Sequence, residues 1–351
     1  REQFECPHPP ERVAEVEEMI TTASPLANAV CALVKKVTPH PVKAHLKIAT
    51  VDIGGTEVQV VCGAPNCREG MLSAYVPCGA KVITPGAAAG EEQKYVLVEE
   101  REISGVRSSG TLVSEAELGL SGEHLGVIEL TAQMLREADA AGAMSANELC
   151  PGAQLALFLG APDTILEIDN KSLTHRPDLW SHFGFAREIS AILQKPRKLD
   201  ADRFADDDEQ GARMLAALGS GKSDFSISIA PGCGCRRFAA LELTNLKTVT
   251  SPLWMRRRLF AVGAGVRNLI VDLSNYVMHD IGQPNHTYDA NKLHGFVVYV
   301  RLAREGEQFL GLDNETRTLA AEDIVIADQE GSVALGGVIG GGPSAVSEST
   351  S

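Results

Sequence analysis

The sequence has few aromatic residues and no long uninterrupted apolar segment. Phe, Trp and Tyr make up 5% of its 351 residues, which leaves few side chains on which nucleic-acid bases could stack. Nowhere do roughly 18 apolar residues follow one another, the length that a helix needs to cross a bilayer. The first residues also lack the apolar centre of a signal peptide. We therefore expect neither a membrane span nor a secretory signal, and we predict a cytoplasmic protein.

Signatures of nucleotide and nucleophile chemistry are also missing. The sequence has no P-loop, and the glycine pairs at 232–234 and 263–265 lack the third glycine and the preceding strand of a dinucleotide-binding motif. No serine stands in a nucleophile elbow. The residues themselves therefore give no site for activating a substrate with a nucleotide.

The cysteines are spaced irregularly. Cys233 and Cys235 are too close for an ordinary zinc half-site, and Cys62 with Cys67 has no matching second pair. We predict no metal site and expect buried thiols rather than a disulfide framework. The eight cysteines are Cys6, Cys31, Cys62, Cys67, Cys78, Cys150, Cys233 and Cys235.

The net charge of −14 argues against a protein whose whole surface binds nucleic acid. An RNA ligand would need a local basic strip or help from another chain. The clearest basic cluster is Arg256–Arg258, and two interpretations fit it. It is either the exposed face of a helix whose Leu253 and Leu259 point inward or a phosphate contact.

Local patterns predict a helix followed by a small barrel. In residues 1–27, Val13, Val16, Met19 and Ile20 recur at helical spacing, which predicts an N-terminal helix. Residues 28–120 consist of short β-rich pieces separated by glycines, which suits the corners of a small β-barrel. Near the end of this region, Ser114 and Glu117 have the spacing of a capping box that opens a short helix.

Residues 121–195 contain strand signals at 155–170 and then a helix that carries Phe183 and Ile189. Asp178 is placed to cap this helix, and Arg187 and Glu188 are expected to pair with nearby loop groups. We interpret His175 and His182 as structural rather than catalytic. Residues 196–222, rich in Asp, Ala and Gly, are predicted to be a linker.

The last region, residues 223–351, mixes strand and helix signals and predicts an α+β domain. We expect two strands within 225–246, a helix at 251–262 and a strand leading into a helix or turn at 266–279. Further strands are expected around a tight turn at 313–315.

The segment 271–289 concentrates polar groups around one turn. Ser274 and Asn275 are expected near a strand end, and the Gln283-Pro284 turn leads to His286. From the residues alone, His286 is either part of a binding pocket or a structural histidine that caps the turn.

Several stretches resemble one family. SPLWMRRRLFAVGAGVRN, VDLSNYVMHDIGQPNHTYD and ALGGVIGG resemble the B3/B4 module of the beta chain of bacterial phenylalanine-tRNA ligase, which is that family's editing domain. VVCGAPN resembles the OB-fold tRNA-binding domain that the family inserts in its B1 domain, and NKSLTHRPDLWSHFGFAREISAILQ resembles a further family segment.

The resemblance implies an α+β multidomain fold. An OB-fold β-barrel would be inserted in a small α/β domain and followed by a mixed α+β editing domain that is cut short at its carboxyl end. The implied boundaries are 1–27 and 121–195 for the B1-like domain, 28–120 for the barrel, 196–222 for the linker and 223–351 for the editing domain.

The resemblance also implies a chemistry, the hydrolysis of tRNA mischarged with tyrosine. The matching catalytic residues are His286, Asn275 and Ser274, and those matching the substrate-binding positions are Pro284, Gly337 and Gln283. The family's tyrosine-sensing glutamate belongs to a strand that would follow Ser351, so we expect an incomplete pocket within these residues.

In the barrel, the resemblance implies tRNA binding by basic side chains. The alternative is that the barrel is mainly a structural insert, because these cations are offset by the acidic run from Glu91. The candidate tRNA-binding residues are Lys35, Lys36, Lys43, Lys47 and Arg68.

The implied partners are tRNA(Phe) and the alpha chain of the same ligase, in a heterotetramer of two alpha and two beta chains. ATP and Mg²⁺ would belong to the full complex, and no cofactor is expected in these residues, which alone should not aminoacylate. The competing hypothesis is a noncatalytic scaffold or RNA-binding module built from the same folds.

Overall fold

The computed structural model describes residues 14–21, 25–84, 94–131, 134, 149–159, 164–196, 223–246 and 249–351. The chain divides into two compact units. The barrel unit lies within residues 10–175 and 250–267, and the second unit lies mainly within 176–249 and 268–351. The predicted linker falls almost entirely on residues outside the described ones.

The helices and strands have the following bounds. The helices are α1 (Ala156–Leu159), α2 (His182–Leu193), α3 (Leu253–Ala261) and α4 (Leu269–Ile281). The strands of the barrel unit are β1 (Val16–Thr21), β2 (Val30–Pro39), β3 (Lys47–Asp52), β4 (Glu57–Cys62), β5 (Leu72–Val76), β6 (Lys81–Ile83), β7 (Tyr95–Leu97), β8 (Arg101–Ile103), β9 (Val106–Ser108), β10 (Thr111–Leu112) and β11 (Thr164–Ile168). The strands of the second unit are β12 (Ser226–Ile229), β13 (Val297–Leu302), β14 (Gln308–Leu310), β15 (Thr316–Thr318), β16 (Ile324–Ala327), β17 (Ser332–Leu335) and β18 (Ile339–Gly340).

The barrel unit is built on a five-stranded antiparallel sheet in the order β10-β5-β2-β3-β4. The outer edge of β4 bonds back to the chain just before β10. Ser109 N donates to Gln59 O at 2.9 Å, and Val61 N donates to Ser108 Oγ at 3.0 Å. Because both edges meet, the sheet forms a nearly closed barrel, which is consistent with the OB-like fold expected for this region.

The N-terminal helix prediction is wrong for the described residues 16–21. They form β1, which pairs antiparallel with β11 from Val16↔Ile168 to Thr21↔Thr164. Local periodicity could not reveal this pairing, because the partner strand lies far away in the sequence. The strand predicted at the end of 155–170 is present as β11, whereas residues 156–159 form the short helix α1 instead.

The capping-box contacts form without the helix. Ser114 N donates to Glu117 Oε2 at 2.7 Å, and Glu117 N donates to Ser114 Oγ at 3.3 Å. Residues 115–119 are nevertheless turns rather than a helix. The reciprocal pair therefore stabilises a turn in this chain.

The predicted helix at 251–262 is present as α3, and it belongs to the barrel unit. Arg256 is not on an exposed face, because 7% of it is accessible and its guanidinium pairs with both carboxylate oxygens of the buried Glu115. Arg257 donates to Leu159 O at 2.8 Å, and Arg258 lies over the Trp254 ring at 5.3 Å. Both interpretations of the arginine cluster were therefore wrong for Arg256, which ties α3 to the turn after β10.

The second unit contains a mixed sheet in the order β12-β13-β16-β17-β18. Strands β12 and β13 are parallel, and the remaining neighbours are antiparallel. The predicted turn at 313–315 is confirmed, since Asn314 has a φ of 63° between β14 and β15. Of the two strands expected within 225–246, only β12 forms, and residues 236–246 have no regular secondary structure.

The helix expected around Phe183 is present as α2, but its predicted cap is wrong. Ser181 is the N-cap, and its Oγ accepts from Gly184 N at 2.9 Å. Asp178 pairs with Arg176 and Arg187 instead, and Arg176 also pairs with Glu188. The hydrogen bonds from Arg176 lower the pKa of the Asp178 carboxyl to about 2.

Two further sequence predictions concern membranes and histidines. In the described ranges, every helix is too short or too polar to cross a bilayer.

His182 Nδ1 lies 3.0 Å from the backbone oxygen of His279, so its ring links α2 to α4 within the second unit.

Candidate functional site

The candidate residues Ser274 and Asn275 lie in the middle of a helix. Asn268 caps α4 by accepting from Val271 N at 3.1 Å, and Gly282 ends it with a φ of 75°. The expectation of a strand end is therefore wrong. The apolar run at 269–271 suits a strand, but the cap at its start and the helical spacing of the following residues decide the local structure.

The loop after α4 is fastened to the helix by Ser274. Ser274 Oγ donates to Asn285 O at 3.1 Å, and Asn285 Nδ2 donates back to Ser274 O at 3.3 Å. Asn285 Nδ2 also lies 3.4 Å from Gln283 O. These bonds fix the backbone of the exposed residues Gln283 and Pro284. They also fix the position of Asn285 and therefore the backbone from which the His286 side chain extends.

His286 packs against the β17–β18 hairpin. A Cβ atom built on the buried Gly340 would lie 2.0 Å from Cε1 of His286, so the ring rests directly on the glycine backbone. Its other neighbour is Tyr288, with ring centroids 4.5 Å apart at 76°. His286 stays partly exposed to solvent. Its packing against the hairpin still desolvates the ring enough to lower the pKa of the imidazole, so the neutral ring, which can accept a proton, is favoured near neutral pH.

Replacing Gly340 by alanine is expected to displace the His286 ring, because the added methyl and the ring cannot occupy the same space. The second unit should lose about 1–3 kcal/mol of its free energy of unfolding. The measurement is the imidazole resonances of His286 by NMR, together with urea unfolding.

Gly331→Ala is the matched control for this substitution, since a Cβ there meets no atom within 4 Å. It should leave both readouts unchanged. Unshifted His286 resonances in the Gly340 variant would contradict the packing described above.

Gly337 lies in the tight turn that joins β17 to β18. Its φ is 71°, and a Cβ built on it would meet no atom within 4 Å, so the space above this turn is open. Leu335 pairs with Ile339 across the turn, which places Gly337 at the tip of the hairpin that contacts His286 through Gly340.

The structure thus brings some candidate residues together and leaves one apart. Ser274, Gln283, Pro284 and His286 share one helix-and-loop segment, and His286 meets the hairpin that carries Gly337. Asn275 is half-buried on α4, and among the described residues no hydrogen bond joins it to His286 or Gly337. Successive helix residues point about 100° apart, so Asn275 faces a different direction from Ser274.

Three residues of this site were missed from the sequence: Asn285, Tyr288 and Gly340. Asn285 was visible as the amide between Pro284 and His286. Tyr288, two residues after His286, was a weaker signal. The contact between His286 and Gly340 depends on tertiary packing, and no local sequence pattern predicts it.

The candidate cations of the barrel are mostly used internally. Lys35 pairs with Asp52 and Glu57, and Arg68 pairs with Glu129. Lys47 Nζ donates to the backbone oxygens of Pro65 and Cys67, each at 2.8 Å. These three side chains are therefore committed to contacts within the barrel.

Lys36 and Lys43 are exposed, and no ion pair is found for either among the described residues. The buried His40 fixes the loop that presents Lys43, since its Nδ1 accepts from Lys43 N at 3.1 Å. Tyr75 is 4% exposed and donates to Ser109 O, so its ring is unavailable for base stacking. Tyr95, in β7, is 41% exposed. An RNA contact on the described barrel surface would therefore combine electrostatic attraction with at most one stacking tyrosine.

Two family models match the chain. The putative tRNA binding domain matches residues 29–136, and the B3/4 domain matches residues 234–351. Among curated proteins, the phenylalanine–tRNA ligase beta subunit of Solibacter usitatus is 39% identical over 97% of this chain. That of Bartonella quintana is 36% identical over 93% of it. The chain is a homologue of phenylalanine–tRNA ligase beta subunits.

The chain spans 38% and 36% of the lengths of these two phenylalanine–tRNA ligase subunits. The residues around His286 fall inside the B3/4 match, and the five barrel cations fall inside the tRNA-binding match. Among solved structures, an RNA ligase of Naegleria gruberi is 15% identical, with a TM-score of 0.20 over 24% of this chain and 27% of that one. A TM-score this low does not indicate a shared fold.

Proposed function

We propose that this chain acts within a phenylalanine–tRNA ligase beta subunit and hydrolyses tyrosine-charged tRNA(Phe) at the site around His286. The observation that carries the proposal is the packing of His286 on Gly340, beside the open turn at Gly337, within the part of the chain that matches the B3/4 domain. The barrel would contribute tRNA contacts.

Such a site would let the enzyme discriminate against tyrosine in favour of phenylalanine. Tyrosine exceeds phenylalanine by one hydroxyl, and an apolar synthetic pocket rejects an added hydroxyl only weakly. A second site with polar groups can recognise that hydroxyl and remove the wrong amino acid. The exposed polar loop at 283–286 and the open space above Gly337 support a site that receives an aminoacyl group.

In the proposed reaction, water attacks the ester carbon, and the bond to the tRNA terminal oxygen breaks. The neutral imidazole of His286 orients this water or the substrate amino group by accepting a hydrogen bond. The Ser274 hydroxyl donates to Asn285 O, so its role is to hold the loop in place. Gln283 and Pro284 would line the entrance, and Asn275 would orient the ester from α4 after a local rearrangement.

Aminoacylation is proposed to belong to the assembled enzyme. The expected partner is the alpha chain, in a heterotetramer of two alpha and two beta chains that binds ATP and Mg²⁺ at the alpha chain's site. Among the described residues, no group of three or more His, Cys, Asp or Glu side chains is arranged to hold a metal ion. The cytoplasmic location stays a prediction.

The tRNA contact is expected to be weak and strongly dependent on salt. Lys36 and Lys43 are the candidate cations for which no ion pair or side-chain hydrogen bond is found among the described residues. With these two as the phosphate contacts, the logarithm of affinity should fall with the logarithm of salt concentration with a slope of about −2. Filter binding of tRNA(Phe) to the isolated chain between low and physiological salt gives this slope.

Lys36→Ala and Lys43→Ala should each reduce this slope by about 1. Lys35→Ala is the matched control, because Lys35 already pairs with Asp52 and Glu57, and it should leave the slope unchanged. A tight complex that is insensitive to salt would contradict the proposed contact.

A noncatalytic scaffold is the second candidate function. Lys35, Lys47 and Arg68 are bonded to other groups of the barrel. These contacts favour a scaffold role for the barrel over tRNA binding. A hydrolysis assay separates the two candidates. The assembled ligase should release tyrosine from tyrosine-charged tRNA(Phe) much faster than phenylalanine from correctly charged tRNA, whereas a scaffold would leave both esters at the uncatalysed rate.

A further inference from the structure

The turn after β4 places two thiols in one small core. Cys62 ends β4, and Cys67 follows after the turn, with 6% and 2% of their surfaces exposed. Both are free thiols in the same apolar cluster, which also contains Val60 and Met71. Neither cysteine has a role in the function proposed above.

The backbone holds this pair in a closed loop. Cys67 N donates to Ala64 O at 3.4 Å, which closes the turn. Lys47 is the ladder partner of Cys62, and its Nζ donates to Cys67 O at 2.8 Å. One lysine thus fixes both ends of the turn.

One of the two cysteines lines a cavity. Cys62, Gly63 and Pro65 line a space of about 320 Å³, together with Glu117 and His124. Cys67 is not among its lining residues. A small polar oxidant that enters this cavity would therefore meet Cys62 first.

We propose that Cys62 and Cys67 form a reversible disulfide when the protein meets a peroxide, with Cys62 as the attacking thiol and Cys67 as the resolving thiol. The neighbouring Cys67 side chain lowers the pKa of Cys62 against the opposing effect of burial, whereas the neighbouring Cys62 raises the pKa of Cys67. The cavity-lining cysteine is thus also the one that more readily becomes a thiolate.

The reaction balances with one peroxide. The Cys62 thiolate attacks the O–O bond, forms a sulfenic acid and releases hydroxide, which is protonated to water. The Cys67 thiol then loses its proton and attacks that sulfur. The S–S bond forms, the S–O bond breaks and a second water leaves. The two sulfurs together lose two electrons to the peroxide.

Peptide mapping of the full chain tests this. Trypsin releases Ile48–Arg68, which contains both cysteines and no other. After treatment with equimolar hydrogen peroxide, this peptide should lose two hydrogen atoms, and its uptake of iodoacetamide should fall about tenfold until dithiothreitol restores it. Cys31 is the internal control, since burial raises its pKa to about 12 and it should stay reduced.

Two variants separate the roles of the thiols. In Cys67→Ser, the Cys62 sulfenic acid should accumulate and be trapped by dimedone, whereas in Cys62→Ser, Cys67 should remain a thiol. Wild-type mapping needs no variant and decides the case if either one misfolds. The proposal is overturned if both cysteines still react fully with iodoacetamide at a peroxide dose that oxidises the exposed Cys78.

Discussion

Replacing His286 by alanine in the assembled ligase is expected to slow hydrolysis of tyrosine-charged tRNA(Phe) by about a hundredfold. The imidazole is the side chain that the loop and the Gly340 backbone together hold in a fixed orientation. Without it, the attacking water or the amino group loses the acceptor that positions it. Single-turnover release of tyrosine measures the effect.

The control for this prediction is phenylalanine activation, which should remain nearly unchanged because it is proposed to use another chain and another pocket. His175→Ala supplies a matched variant, since His175 is an exposed histidine outside the site. Equal loss of both reactions would mean that His286 maintains the fold. Unchanged hydrolysis would mean that this site does not edit.

Replacing Arg256 by methionine is expected to destabilise the barrel unit by about 3–5 kcal/mol, because Glu115 would be left as a buried charge without its partner. Arg256 Nη2 donates to Glu115 Oε1 at 3.0 Å, and its Nε donates to Ser251 O at 2.9 Å. Ser121 Oγ satisfies Glu115 further at 2.6 Å. Amide exchange of the barrel strands in urea gives the free energy of unfolding.

A second substitution distinguishes loss of the pair from loss of packing. Adding Glu115→Leu to Arg256→Met should recover most of the lost stability, because no charge then remains buried. Arg258→Ala, on the same helix, should cost only about 0.5–1 kcal/mol for its contact with Trp254. If Arg256→Met costs no more than Arg258→Ala, the ion pair does not anchor α3.

The elements that were predictable from the sequence are those fixed by neighbouring residues. The apolar segments that form β13 and β16 and the turn at Asn314 are local patterns, and the two strands and the turn were confirmed. The start of α4 also has a local cause in Asn268, but the β-branched run after it competes with that signal.

The errors share a different cause, a partner that is distant in the sequence. β1 is a strand because β11 pairs with it, and Arg256 is buried because Glu115, 141 residues away, receives its charge. The contact of His286 with Gly340 is of the same kind. The polar loop of the candidate site is visible in the sequence, whereas the hairpin surface against which it packs is formed by residues about 50 positions away.

The most direct test of the central claim is to locate a bound non-hydrolysable tyrosyl-adenosine analogue in the assembled ligase by crystallography. We expect the tyrosyl group to lie beside the His286 ring, over the turn at Gly337, with the ester position within hydrogen-bonding reach of the 283–286 loop. An analogue that binds elsewhere in the B3/4 domain, with His286 out of contact, would contradict it.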